Sequence, residues 1–157
     1  MPSSCNNADI VALLSIQENT IASLYDVFGA ALPEMKTFWH NLVVQEKAHG
    51  DVLGQLARLC EAQDVYLNKN KFNAAAVQTN IDSMNRERER VITEGITAIR
   101  ALSLAADIEH SLIEAGWFHI IESDIPAVRT ELEEIEKHTK QHIAMVDGRL
   151  EKLRTHQ

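Results

Sequence analysis

Residues 42–56 read LVVQEKAHGDVLGQL. Apolar and ionisable residues recur in this segment at alternating steps of four and three, which places them on one stripe of a helix. The members of the stripe are Leu42, Glu46, His49, Leu53 and Leu56. A carboxylate on a buried stripe is costly unless it is paired, protonated or bound to a metal ion. The segment therefore predicts a helix with a polar site on its buried face.

The same rhythm occurs in three further segments, and each of them carries a polar or ionisable residue among apolar ones. The three stripes are Leu14, Glu18, Ile21, Tyr25 and Phe28; Leu102, Ala106, Glu109, Ile113 and Gly116; and Leu132, Ile135, Thr139, His142 and Val146. Three glutamates and two histidines spread over four helices in this way suggest a metal site inside a helical bundle.

Capping and helix-breaking residues divide the chain into five predicted helices. We expect them over about residues 8–28, 33–61, 73–94, 97–122 and 126–153. Gly29 and Pro33 indicate a tight first connection, Gly95 a helix end and Pro126 a first helical turn. Residues 63–71 have no periodic pattern and are interpreted as a loop, and no strand is expected. The predicted architecture is all-α, with a single domain over 1–157.

Composition argues against several classes of function. The formal net charge of −8 disfavours general nucleic-acid binding and docking on an anionic membrane. The chain has no apolar run of about 18 residues that could span a membrane, and residues 1–9 lack the basic and apolar regions of a signal peptide. Cys5 and Cys60 form no CxxC pair. We therefore expect a cytoplasmic protein without nucleic-acid or membrane partners.

A weak internal repeat relates the two halves of the chain. In each half a stripe glutamate precedes, by about 30 residues, two stripe residues that are three positions apart. These pairs are Glu46 with His49 in the first half and Thr139 with His142 in the second. Two helix pairs joined by a long crossover that contains the third helix would produce this layout.

A Glu-x-x-His pair by itself is weak evidence for metal binding, because a chain of this size and composition has about one by chance. The pair gains weight from its position on a stripe that is matched by Glu18. Other interpretations stay open: Glu46 and His49 as a hydrogen-bonded structural pair, Glu18 as a partly exposed helix residue, and His142 as a buried histidine bonded to a neighbour. His138 lies at the edge of its stripe and is either an additional ligand or a surface residue.

With these residues in view, the chain resembles the ferritin-like superfamily and, within it, the rubrerythrin-like proteins. The matching segments are QENTIASLY (17–25), QEKAHGDVL (45–53), LAADIEHS (104–111) and KHTKQHI (137–143). The resemblance implies an antiparallel four-helix bundle with an extra helix in its long crossover, and a core that holds two metal ions, often iron. It also implies oxidation of Fe(II), or reduction of peroxide or dioxygen. A homodimer is expected by the same analogy.

The resemblance further implies a role for each candidate ligand. The expected terminal carboxylates are Glu18 and Glu109, the bridging carboxylate is Glu46, and the nitrogen ligands are His49 and His142. The pattern departs at position 139, where a second bridging glutamate is expected and Thr139 stands. The second ion is then weak, absent or ligated differently, with His138 or water in the gap. The chain also lacks the cysteines of the rubrerythrin electron-delivery domain, so electrons would come from another protein or from Fe(II) itself.

Three functions therefore remain open. The first is an oxidoreductase with a pair of iron ions in the bundle. The second is a metal-binding protein without turnover, which has one occupied site or a structural Zn(II). At the site itself, manganese or zinc could take the place of iron. The third is a metal-free bundle that acts through protein contacts, with its stripe glutamates protonated or bonded to the histidines.

Overall fold

A computed structural model describes residues 4–61, 65–67 and 72–156 of the chain. It is almost entirely helical, which confirms the all-α prediction. The helices are α1 (Ser4–Ala31), α2 (Lys36–Glu61), α3 (Ala74–Glu94), α4 (Ala98–Ala115) and α5 (Pro126–Thr155). Short 3-10 turns cover Pro33–Met35 and Trp117–His119, and two short strands, β1 (Tyr66–Leu67) and β2 (Ile121–Glu122), pair antiparallel.

Local capping chemistry explains where the inner helices begin and end. The side chains of Asn73 and Thr97 accept hydrogen bonds from backbone N–H groups in the first turns of α3 and α4. At the end of α4, Gly116 adopts a left-handed conformation with φ 63°, and its N–H donates to the Leu112 carbonyl. Residues with a β-carbon disfavour this conformation, so glycine is well suited to close the helix.

Some of the predicted helix limits are wrong. The fourth helix ends at Ala115 rather than near residue 122, because Gly116 turns the chain away and residues 117–122 form a 3-10 turn and β2. The first helix does not end at Gly29 but continues to Ala31. A β-carbon at Gly29 would lie 3.3 Å from Trp39 Cβ, so this glycine allows close packing of two helices.

Two further expectations need correction. No strand was expected, yet β1 and β2 pair with Tyr66 opposite Glu122 and Leu67 opposite Ile121. The predicted second helix begins with the 3-10 turn at Pro33–Met35 before α2 itself starts. The predicted loop over residues 63–71 lies partly outside the described residues, and β1 occupies part of what is described.

Helix α1 packs along α2 and also contacts α3. The contacts pair the middle of α1 with the middle of α2, where Ser15 Oγ donates to the Gly50 carbonyl at 2.7 Å. They also pair the end of α1 with the start of α2, where Gly29 lies against Trp39. The short connection through Leu32 and the Pro33 turn brings these two ends together.

Helix α5 packs on both α4 and α2. His110 of α4 lies 2.9 Å from Asp147 in the second half of α5. His119, in the turn after α4, lies 3.1 Å from Glu136 in the first half of α5. On the other side, the guanidinium of Arg149 lies over the ring of Phe38 near the start of α2. Side chains from α1, α2, α4 and α5 thus face a common buried interior. None of the described helices combines the length and hydropathy needed to cross a membrane.

Candidate metal centre

The interior contains five ionisable side chains that the sequence singled out, and the structure brings them together. They are Glu18 of α1, Glu46 and His49 of α2, Glu109 of α4 and His142 of α5. Each is at most 3% exposed to solvent. Ionisable groups are seldom buried so completely unless they are paired or bind a metal ion.

Their potential ligand atoms form two compact groups that could each hold a metal ion. The groups are Glu18, Glu46 and His49, and Glu46, Glu109 and His142; within each, one ligand atom per residue lies within 4.8 Å of the others. Glu46 belongs to both groups. The arrangement therefore suits two ions that share one carboxylate, with a second carboxylate and an imidazole for each ion.

The contacts inside the cluster are short, but they do not give every polar atom a hydrogen-bond partner. His142 Nδ1 lies 2.9 Å from Glu46 Oε1 and 3.4 Å from Glu109 Oε1, and His49 Nδ1 lies 3.5 Å from Glu46 Oε2. Within the described residues, both oxygens of Glu46 and the Nδ1 atoms of both histidines lack a partner with hydrogen-bond geometry. Both oxygens of Glu18 also lack one. Buried polar atoms of this kind are costly, and a cation between them would satisfy them.

The outer nitrogens of both histidines have partners on the far side of the ring. His142 Nε2 makes a short hydrogen bond with Gln45 Oε1. Because an amide oxygen only accepts, Nε2 carries the hydrogen and the neutral ring has its lone pair on Nδ1. His49 Nε2 lies 3.1 Å from His138 Nδ1. Metal-binding histidines usually donate their second N–H in this way, which sets the ring orientation.

Tyr25 holds one of the carboxylates in place. Its hydroxyl donates to Glu109 Oε1 at 2.8 Å, although the two residues are 84 positions apart. The Tyr25 ring also contacts two other buried aromatic residues, Phe28 and Trp39, with ring centroids 6.0 and 5.3 Å away. This aromatic cluster closes one side of the centre against water.

Burial and mutual charge shift the acid–base properties of the cluster. Burial raises the pKa of Glu18 well above its usual value and, with the charge of Glu46, raises the pKa of Glu109 to about 8. Burial acts to lower the pKa of His142, but its contacts with Glu109 and Glu46 outweigh this and raise the pKa to about 9. Near neutral pH the metal-free cluster is therefore held together by protons, which a divalent cation would displace.

Glu46 differs from the other two glutamates. Burial acts to raise its pKa, but the close contacts with Glu18, His142 and His49 outweigh burial and hold the pKa well below its usual range. Glu46 is thus the carboxylate that stays charged at the centre of the cluster. This is the property required of a carboxylate shared by two ions.

His138 and Thr139, which lie beside the predicted ligands in the sequence, belong to neither group of candidate metal ligands. His138 lies behind His49, with its Nε2 3.6 Å from Glu134 Oε2, and its side chain is about one-third exposed. Thr139 is buried, and its hydroxyl donates to the Ile135 carbonyl of its own helix. The second bridging carboxylate that the resemblance calls for is therefore absent at this position.

Sequence reasoning missed two residues that contact the cluster. Gln45 received no role because it lies off the apolar stripe, and no signal in the sequence separates it from an ordinary polar helix residue. Tyr25 was placed on its apolar stripe without a role at the site. Its position on the same stripe as Glu18 was a signal that its hydroxyl would face the cluster.

Comparison of the chain with protein-family models, curated proteins and solved structures finds no match. The geometry and donor chemistry of the buried Glu/His cluster are those of side chains that could hold a metal ion.

Proposed function

We propose that this protein is a ferritin-like, rubrerythrin-like dimetal carboxylate protein that binds two iron ions and acts as an oxidoreductase on Fe(II), peroxide or dioxygen. The observation that carries the proposal is the sharing of Glu46 between two buried groups of three ligands. Seven ligand-type atoms of this cluster, from Glu18, Glu46, His49, Glu109 and His142, lack a hydrogen-bond partner within the described residues. They have the chemistry of a site built around cations.

The proposed fold is an antiparallel four-helix bundle of α1, α2, α4 and α5, with α3 in the long crossover. The order of the interhelical contacts supports it. The end of α1 contacts the start of α2, and the second half of α5 also contacts the start of α2. The first half of α5 contacts the turn that follows α4, and its second half contacts α4 itself. All four helices contribute a residue to the cluster, as expected for metal sites in bundles of this type.

In this proposal Glu18 and Glu109 are terminal carboxylates, Glu46 bridges the ions, and His49 and His142 bind through Nδ1. Three carboxylates offset most of the charge of two divalent cations, and oxygen with imidazole ligands suits Fe(II), Mn(II) and Zn(II). Bound iron would supply the electron transfer to or from dioxygen or peroxide.

The protein's own groups would orient and protect this chemistry. Gln45 and His138 fix the two imidazole rings, and Tyr25 fixes Glu109. The apolar side chains around the interior exclude water, and this strengthens the electrostatic interactions within it. A homodimer and an electron-donating protein partner are part of the proposal and rest on the resemblance.

Thr139 favours a second candidate, a metal-binding protein without turnover. A hydroxyl bonded to its own helix is a poor replacement for a bridging carboxylate. One fully ligated ion at Glu18, Glu46 and His49, with a weaker one beside Glu109 and His142, would then be the functional state. Zinc or manganese could serve there as well as iron.

The experiment that tests the proposal is anaerobic loading of the metal-stripped protein with Fe(II), followed by elemental analysis and an absorption spectrum before and after exposure to air. Two irons per chain with a new near-ultraviolet absorption after air exposure would support the oxidoreductase. One metal ion per chain, or zinc retained with no response to air, would support the binder. No bound metal would overturn both. A Glu131→Gln variant, altered on the exposed face of α5, is the matched control.

A further inference from the structure

We infer that a cleft between α1, α3 and α4 binds a small neutral molecule that is mostly apolar and carries a carbonyl or hydroxyl oxygen. This goes beyond the proposed function, because none of the five candidate metal ligands lines the cleft. The cleft consists of two adjoining cavities of about 270 and 210 Å³. Both cavities are bordered by Gln17, Asn80, Ser111 and Leu112. We refer to them together as the α3 cleft.

The α3 cleft exists because α3 covers the interior incompletely. This helix buries only Ile81, Met84 and Val91 and packs mainly on α1. Helix α4 follows after a short connection and turns its own buried face toward the metal centre. A gap between α3 and α4 remains, and its floor is formed by apolar side chains of α1 such as Ile21 and Leu24.

One nearly buried polar side chain on the wall of the α3 cleft has no hydrogen-bond partner among the described residues. Gln17 borders both cavities and is 4% exposed, and its amide makes no hydrogen bond with any described residue. The few polar groups on the walls of an apolar cavity orient a bound ligand. The Gln17 amide could donate a hydrogen bond to a carbonyl or hydroxyl oxygen of a ligand.

The remaining walls define the chemistry of the occupant. Apolar residues such as Leu14, Met84 and Leu104 form most of the surface. The charged residues at the first cavity are Glu87 and Asp107, both acidic, and Glu87 already lies 3.2 Å from Arg90. An anion would meet these carboxylates without a free cation to pair with, so a neutral ligand is favoured. Pockets with apolar walls and a few convergent polar groups are typical small-molecule sites.

The test is fluorescence titration of the full-length protein with 6-propionyl-2-dimethylaminonaphthalene, a neutral aromatic ketone whose emission shifts when its carbonyl accepts a hydrogen bond. Ser111→Leu fills the region that both cavities share, since the Ser111 hydroxyl is bonded only to its own helix. Ser103→Leu places the same side chain elsewhere on α4 and is the matched control. Gln17→Met keeps the length of the side chain and removes the amide donor.

We expect saturable binding of one ketone per chain, a loss of about tenfold or more in affinity for Ser111→Leu, and a change of less than about twofold for Ser103→Leu. Gln17→Met should shift the emission of the bound ketone to shorter wavelength, because the ketone loses its hydrogen-bond donor. If Ser111→Leu fails to fold, as judged by circular dichroism, Asn80→Leu narrows the cleft from the exposed side of α3 instead.

Three results would overturn the inference: no saturable binding, equal affinity of the wild type and the folded cleft-filling variant, or tighter binding of the anionic 8-anilinonaphthalene-1-sulfonate. Metal content is measured on the same samples. The ketone should bind the metal-stripped and the metal-loaded protein alike, so a failure of the proposed metal function and a failure of the α3 cleft are scored separately.

Discussion

His49 Nε2 lies 3.1 Å from His138 Nδ1, so the ring of His49 is held from behind by a residue that does not enter the cluster. Gln45 holds His142 in the same manner. Both imidazoles therefore turn Nδ1 toward Glu46, and their ring centroids lie 6.0 Å apart. The orientation of the two potential nitrogen ligands is thus set by residues that bind no metal in the proposal.

Gln45→Leu should weaken metal binding at the group of Glu46, Glu109 and His142 by about 10- to 100-fold, because the ring of His142 loses the acceptor that fixes its tautomer and orientation. Gln45→Glu preserves an acceptor and should retain most of the affinity. Co(II) titration followed by visible absorption measures both affinity and ligand geometry. Wild-type affinity and spectrum in Gln45→Leu would contradict this role for Gln45.

Glu46→Leu should abolish binding of both ions, whereas Glu18→Leu should affect only one, because Glu46 alone belongs to both groups. Free metal at 100 times its Kd adds about 2.7 kcal/mol to the free energy of unfolding of a one-site protein. This increment should vanish in Glu46→Leu. Urea unfolding with and without Fe(II), Mn(II) or Zn(II), together with elemental analysis, measures it. A metal-free bundle would show no increment even in the wild type.

The stability of the metal-stripped protein should fall as the pH rises from 6 to 9. The folded-state pKa values of Glu109 and His142, about 8 and about 9, lie above their ordinary values of 4.5 and 6.5. The folded state therefore holds more protons than the unfolded state across this range. Each titrating group contributes a slope of up to about 1.4 kcal/mol per pH unit.

Urea unfolding in a chelator at several pH values checks this sign, and Glu109→Gln should make the fall shallower. Metal affinity should change in the opposite direction and rise with pH, because binding releases the same protons. Stability that increased between pH 6 and 9 in the metal-stripped protein would show that the cluster is not held by protons.

Thr139→Glu should restore the carboxylate that the ferritin-like pattern expects and strengthen binding of the second ion by at least about tenfold, or about 1.4 kcal/mol. The same change should destabilise the metal-stripped protein, because it buries another carboxylate in a residue position that is 1% exposed. Thr139→Val is the matched control, since it removes only the bond to the Ile135 carbonyl. Isothermal titration with Mn(II) resolves the two binding steps. Equal second-ion affinity in the glutamate and valine variants would mean that position 139 does not face that ion.

The limits of the inner helices were largely predictable from single residues. Asn73 caps α3 and Gly95 follows its last residue, as the sequence indicated, because capping hydrogen bonds involve only neighbouring residues. The predictions at Gly29 and Gly116 were wrong in opposite directions, because the first helix was predicted too short and the fourth too long. Gly29 serves helix packing against Trp39 and not helix termination, and Gly116 ended α4 earlier than the apolar pattern suggested. Glycine marks an unusual requirement, but only the surroundings decide which one.

The apolar rhythm in the sequence was sufficient to place Glu18, Glu46, His49, Glu109 and His142 on buried helix faces, because helical periodicity is a local property of the chain. Only the tertiary structure decided that Glu46 contacts His142 of another helix, that Tyr25 donates to Glu109, and that Gln45 and His138 hold the rings from behind. These contacts depend on how far each helix is shifted and rotated against its neighbours. That arrangement is set by side-chain packing between residues that are remote in sequence, and no local pattern encodes it.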